Sequence, residues 1–210
     1  MNTDQHRFDQ AVARFDAANA EDPNGGIADG RVQPKELLYA QRLSAMLARF
    51  APDSTESLRL AVRCQHIQRW KIPRSDYPKT PAGYKQWRSQ LQKFHAETSA
   101  RILREVGYDA QTVARVESLL RKEKLKLDPE VQTLEDVVDL VFLEDYLEDF
   151  VAEHPEYDEA KWIDILKKTW FKMSSRGRSA ALSMIRLPEK LVPVIRRAAE
   201  LGEKMDRSKS

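Results

Sequence analysis

Between Arg63 and His95 the chain reads R-C-Q-H-I-Q-R-W-K-I-P-R-S-D-Y-P-K-T-P-A-G-Y-K-Q-W-R-S-Q-L-Q-K-F-H, a segment dense in side chains that can do chemistry. Two of the four histidines, His66 and His95, lie in it, as do two of the four tryptophans, Trp70 and Trp87. From Arg59 to Arg104 eleven Lys and Arg face two acids, Asp76 and Glu97, a local net of +9 in a chain whose total is +2. That balance predicts a site for something anionic. Arg63, Arg69, Arg74, Lys85 and Arg88 are placed to grip phosphates, while Trp70, Tyr77 and Tyr84 offer rings for bases, each stacked base being worth about 1–3 kcal/mol. The alternative is packing: Trp70 follows His66 by four residues and Trp87 precedes Leu91 by four, the spacing of one helical face.

The same segment supplies imidazoles for a metal. His66 and His95 come from successive elements, and a carboxylate is available from the run L-E-D-V-V-D-L, where Asp136 and Asp139 are three apart and Glu135 and Asp139 four apart on a helix. Two histidines with carboxylates suit a divalent ion, Mn, Mg, Co, Fe or Zn, that activates water for phosphoester chemistry. The expected set is His66, His95 and Asp136 as ligands, with Glu135 and Asp139 as catalytic acids or bases. No HxxxH or HExxH spacing accompanies it, so ordinary hydrogen-bonding histidines are the competing reading.

Helix signals recur along nearly the whole chain and strand signals do not. An opening helix near Asp4 to Ala18 ends in N-A-E-D-P-N-G-G-I-A-D-G, read as a turn because it lacks the ligands of a calcium loop. Pro34 begins a second helix with Leu37, Leu38, Leu43 and Leu47 as its apolar stripe. Asp53 with Glu56 predicts the cap of a third, running through Ile67 and carrying His66. Thr80 and Pro81 open a long helix closed by Gly107, Asp109 caps the next, and Asp128-Pro129 starts one that stops near His154. Further segments follow around 158–173, 180–185 and 188–205. The expectation is an all-α fold, one compact domain of eight or nine helices over residues 1–205 with a frayed tail at 206–210.

A length of 210 residues is enough for such a domain to bury a core without staples. One cysteine, Cys64, excludes an internal disulfide, and no run of eighteen apolar residues suggests a membrane span, so a cytoplasmic, reducing setting is expected. Charge is segregated along the chain: fourteen acids and one base from Asp128 to Asp164, then twelve bases and four acids from Lys167 to Lys209. Pairing of the two blocks and exposure of either to a ligand are both open.

The helix E-L-L-Y-A-Q-R-L-S-A-M-L-A-R-F-A-P, the segment L-R-L-A-V-R-C-Q-H-I, the run F-H-A-E-T-S-A-R-I-L-R-E-V-G-Y and L-E-D-V-V-D-L-V-F-L-E together resemble, in that order, the HD-domain phosphohydrolases. The resemblance implies an HD-like core over about 36–150 with a C-terminal helical extension at 156–205. It also implies metal-dependent hydrolysis of a nucleotide or other phosphoester. Tyr39 stands where that family has its first histidine, and Gln65-His66 where it has the His-Asp pair; His95 and Asp136 fall on the pattern. A displacement of one residue turns a helical side chain by about 100°, so the resemblance points to a mononuclear or lost site.

Over almost its whole length the chain is similar to a bacterial and fungal family described as domain of unknown function number 4202, through D-A-A-N-A-E-D-P-N, R-C-Q-H-I-Q-R-W-K-I-P-R, G-Y-x-x-W-R, F-H-A, L-V-F-L-E and T-W-x-K-M-S. The run K-M-S-S-R, Lys172 to Arg176, resembles the lysine loop of class I aminoacyl-tRNA synthetases. Without the H-I-G-H motif and the strands of a nucleotide-binding sheet it does not make one. Two functions are therefore expected: a diverged HD-like phosphohydrolase acting on an anionic small molecule or nucleotide, or a non-catalytic helical module binding RNA, nucleotide or a protein partner through its basic surface.

Overall fold

The computed structural model describes residues 3–28 and 30–207. Among them ten α-helices account for most of the chain, so the protein is all-α with somewhat more helices than expected. They form two compact units, Met1–Val131 and Gln132–Ser210. The division falls inside one helix.

In the first unit α1 (Thr3–Ala20) leads into a hairpin of β1 (Gly25–Ala28) and β2 (Arg31–Pro34), then α2 (Lys35–Phe50), α3 (Glu56–Arg63), α4 (Pro81–Val106), α5 (Ala110–Leu120) and the start of α6 (Pro129–Val141). The hairpin corrects the reading of this stretch as a plain turn. Ile27 pairs with Val32 in its antiparallel register, but four-residue strands are too short to leave a periodic signal. Asp22 explains why the segment is ordered. Its Oδ1 accepts from the Asn24 N–H at 2.9 Å and its Oδ2 from the Glu36 N–H at 2.9 Å, capping α2 from outside, where Pro34 has no side chain that could.

The remaining caps set the helix boundaries. Thr55, rather than the expected Asp53, caps α3 by accepting from Leu58 N–H, and its hydroxyl donates to Glu130 at 2.5 Å. Thr80 caps α4 over Gly83, where a Cβ would fall 2.3 Å from the Pro78 carbonyl oxygen, so only glycine permits the close approach. Gly107 ends α4 at φ 93°, the left-handed closure predicted for it. The unit packs α4 against α5 and α1, and α3 against α2 and α5. Phe15, Leu43, Met46, Leu60, Ile67, Leu103 and Leu119 are fully buried there, each contributing about 1.5–3 kcal/mol. Arg115 forks onto Asp128 and Glu130, which ties the middle of α5 to the start of α6 and holds the Asp128 carboxyl down at about 2.

In the second unit the continuation of α6 passes through a π-helical turn at Phe142–Tyr146 into α7 (Leu147–Ala152), followed by α8 (Glu159–Lys172), α9 (Ser175–Ser183) and α10 (Val192–Arg207). The single helix expected from Asp128 to His154 is thus interrupted. A π turn shifts the helical face by a residue, and both Leu143 and Leu147 are buried across it. Helix α8 packs along α10, and Leu166, Trp170, Ile195 and Ala198 are buried. Asp158 and Ser174 cap α8 and α9. Of the expected frayed tail, 206 and 207 are helical and 208–210 lie outside the described residues.

Candidate functional site

Helix α3 stops at Arg63, three residues before His66, which corrects the expectation that the helix carries this histidine. Cys64 closes the helix and Gln68 turns the chain into the left-handed region at φ 50°. That conformation costs a non-glycine residue about 1–2 kcal/mol, and the loop is held by the Gln68 N–H donating to Asn19 Oδ1 at 2.9 Å. His66 and Arg69 therefore sit on either side of a fixed bend, with Arg69 opening a 3₁₀ turn, Arg69–Lys71.

Around this bend the first unit collects a polar pocket. The ring of Tyr39, from α2, stacks on His66 with centroids 4.4 Å apart and planes 13° from parallel. His66 Nδ1 lies 3.5 Å from the Glu36 carboxylate, and its Nε2 lies 3.5 Å from Arg69 Nη1. His95, from the middle of α4, brings its ring centroid to 5.7 Å from that of His66. Its Nδ1 is 2.9 Å from the Ile67 carbonyl oxygen, which can only accept, so Nδ1 carries the proton and Nε2 is bare. That Nε2 is buried without a hydrogen-bond partner.

Electrostatics follow from the burial. Loss of hydration pushes the Glu36 carboxyl up to about 7, with Arg69 opposing the shift and Asp22 adding to it. Burial, then the Arg69 charge, holds His95 down at about 3. His66 is held well below the usual imidazole range by burial and by the charges of Arg69, His95, Lys122 and Arg88. Both imidazoles are neutral at neutral pH, in a field made positive by Arg69, Arg88 and Lys122.

The basic aromatic stretch forms one wall of the site. The Arg69 guanidinium lies over the Trp87 ring, 4.7 Å from its centroid, and the Trp87 indole N–H donates to the Ile72 carbonyl at 2.9 Å. Arg74 stands 5.9 Å from the same ring but uses its Nη1 and Nη2 on the carbonyls of Tyr77 and Pro78, at 2.8 Å each. Arg88 reaches the Tyr84 hydroxyl at 3.5 Å. Tyr84 and Lys85 are exposed on α4, while Trp70 and Tyr77 are half-buried. Arg63 points elsewhere: its Nε and Nη2 take both oxygens of Asp16, at 2.7 and 2.5 Å, and Nη1 reaches Ser44.

Asp136, Glu135 and Asp139 are buried residues of α6 in the second unit. The Asp136 carboxylate accepts from the Ser174 N–H at 2.7 Å, the Ser174 hydroxyl at 2.5 Å and the Gln132 amide at 3.1 Å. Burial raises its pKa against the pull of those donors. Gly177 packs against it so closely that a Cβ would meet Asp136 Cγ at 2.6 Å. The Lys172 ammonium, from the K-M-S-S-R run, stands 3.7 Å from Glu135, and Ser174 of the same run is the α9 cap. Among the described residues no group of three or more His, Cys, Asp or Glu is disposed to hold a metal ion.

The sequence pattern of a domain of unknown function, DUF4202, matches residues 9–195. The chain belongs to the DUF4202 family. The matched span includes every residue of the histidine pocket and the α6 carboxylates. Comparison with curated proteins and with solved structures finds no match. No described helix is long and apolar enough to cross a membrane.

Sequence reasoning picked out His66, His95, Arg69 and Arg88 but missed Glu36 as a member of the site. An acid in the first turn of a helix reads as a response to the helix dipole. Only its burial marks Glu36 as different, and burial of one first-turn residue leaves no periodic signal.

Proposed function

We propose that the pocket of Glu36, His66, Arg69 and His95 binds a phosphate-bearing anion, a nucleotide or other phosphoester. The observation that carries this reading is Arg69: a partly buried guanidinium beside two imidazoles that stay neutral, with Arg88 and Lys122 adding to the same positive field. A cation in a low-dielectric pocket attracts an anion more strongly than one in water. Glu36, whose carboxyl titrates at about 7, adapts to the ligand by taking up a proton near neutrality.

A second reading, hydrolysis of that phosphoester with a divalent ion, is favoured by one atom. His95 offers a bare, buried Nε2 while Nδ1–H is tied to a backbone carbonyl, the arrangement that orients an imidazole for a metal. Asp136 is left out of this reading, because its oxygens are taken by Ser174 and Gln132. Against it stands the Arg69 charge, 3.5 Å from His66 Nε2, which repels a cation at that nitrogen.

Calorimetric titration with orthophosphate and a nucleoside monophosphate tests the first reading. Binding that weakens with salt and falls at least about tenfold in Arg69→Ala is expected; folded protein that binds neither probe, or an Arg69→Ala variant that binds as well as the parent, overturns it. Assay of the monophosphate and of a generic phosphodiester with Mn²⁺ or Co²⁺ separates the two. Turnover that disappears with chelator and in His95→Ala supports the hydrolase; binding without turnover leaves the binding module.

A further inference from the structure

A second cavity in the first unit lies away from the chemistry just described. Its volume is about 360 Å³, within the range of about 300–1,000 Å³ usual for small-molecule sites. The walls are Phe8 and Val12 of α1, Leu47 and Ala48 of α2, and Ala51 and Pro52 of the turn that follows. Two arginines of α3, Arg59 and Arg63, and two serines, Ser44 and Ser54, complete the lining.

The two arginines differ in what they already hold. Arg63 is neutralised by its fork onto Asp16, with its remaining reach spent on Ser44. Among the described residues Arg59 has no carboxylate partner within ion-pair distance; its guanidinium lies over the Phe8 ring, 4.6 Å from the centroid. The flanking hydroxyls are also committed inward, Ser44 donating to the Ala40 carbonyl and Ser54 to the Ala51 carbonyl at 2.6 Å. The cavity thus presents an apolar interior and, among the described residues, one cation without a carboxylate beside it. At about 30 Å³ per water-sized group, its volume holds on the order of a dozen non-hydrogen atoms.

We propose that this cavity is a binding site for a small apolar monoanion, an alkyl or arylalkyl carboxylate whose chain lies against Phe8, Val12, Leu47 and Ala48 and whose carboxylate pairs with Arg59. The two halves of the ligand answer the two halves of the site. Apolar contact supplies most of the affinity, and the forked guanidinium selects a carboxylate over a neutral end group. A nucleotide, too polar for these walls, is not the occupant, so the site is separate from the histidine pocket in position and in ligand class.

Octanoate and 1-octanol, which share a chain and differ in charge, are the probes, titrated by ligand-observed NMR. Octanoate is expected to bind more tightly than octanol, and Arg59→Gln is expected to lower octanoate affinity about tenfold while leaving octanol unchanged. Ala48→Phe, which adds a ring at an exposed wall position, should remove binding of both in protein whose circular dichroism matches the parent. Failure of folded parent protein to bind octanoate overturns the proposal, as does equal or tighter binding of octanol. Octanoate binding indifferent to both substitutions shows the ligand to be elsewhere and overturns it equally.

Discussion

His95 donates its Nδ1 proton to the carbonyl of Ile67 across 2.9 Å, joining the middle of α4 to the loop that carries His66 and Arg69. One contact thus fixes the tautomer of one imidazole and braces the backbone beside the other. With burial and Arg69 holding its pKa at about 3, His95 should stay neutral and Nδ1-protonated through mildly acidic pH. Nitrogen-15 NMR of the imidazole is expected to show no titration between pH 8 and pH 5; a midpoint near 6.5 would contradict the geometry.

Glu36 and the histidines pull stability in opposite directions as pH changes. Glu36 ordinarily titrates near 4.5 and in the fold near 7, so the folded state holds the extra proton between those values and this contribution falls as pH rises through the window. The histidines, lowered from 6.5, hold fewer protons folded than unfolded, so theirs rises as pH climbs toward 6.5. Glu36→Gln removes only the falling part. Urea midpoints of this variant should gain on the parent steadily from pH 4.5 to 7 and run parallel below 4.5; curves parallel throughout would show that Glu36 titrates normally.

In the second unit Gly177 leaves no room for a side chain over Asp136. Gly177→Ala places a methyl 2.6 Å from a carboxylate pinned by three donors, and a loss of about 1–3 kcal/mol is expected, the usual range for overpacking. In an Asp136→Ala background the same change should cost much less, because the obstructing atoms are gone. Additive losses in a denaturation double-mutant cycle would count against the contact.

Lys124 is exposed and held at φ 59°, between Lys122 at 54° and Lys126 at 72°. Glycine takes this conformation without the steric penalty of a Cβ, so Lys124→Gly should raise stability by about 0.5–1 kcal/mol after its own entropic cost. Thermal unfolding of the variant against the parent checks it; a lower midpoint would mean that the lysine side chain contributes more than its backbone strain costs.

Much of the architecture follows from local chemistry. The helical period of leucines, Pro81 after Thr80, Asp109 before α5 and Gly107 at the end of α4 each act within a few residues, so all-α structure and several boundaries are legible in the sequence. The hairpin and the early end of α3 are not. The first depends on Asp22 reaching Glu36, the second on Asn19 holding Gln68 left-handed, and both partners are distant along the chain.

The same distinction governs the sites. Residue types and their clustering alone marked the stretch from Arg63 to His95 as basic, aromatic and histidine-bearing. Charge and side-chain chemistry survive any fold. Which arginines stand beside the imidazoles did not follow from type: Arg63 is consumed by Asp16, Arg74 by two carbonyls, and Arg69 lies next to His66. Nor could the sequence assign Glu36 its raised pKa or His95 its bare nitrogen. Those properties come from the loss of water and the placing of neighbours 3 to 5 Å away, and only tertiary packing fixes both.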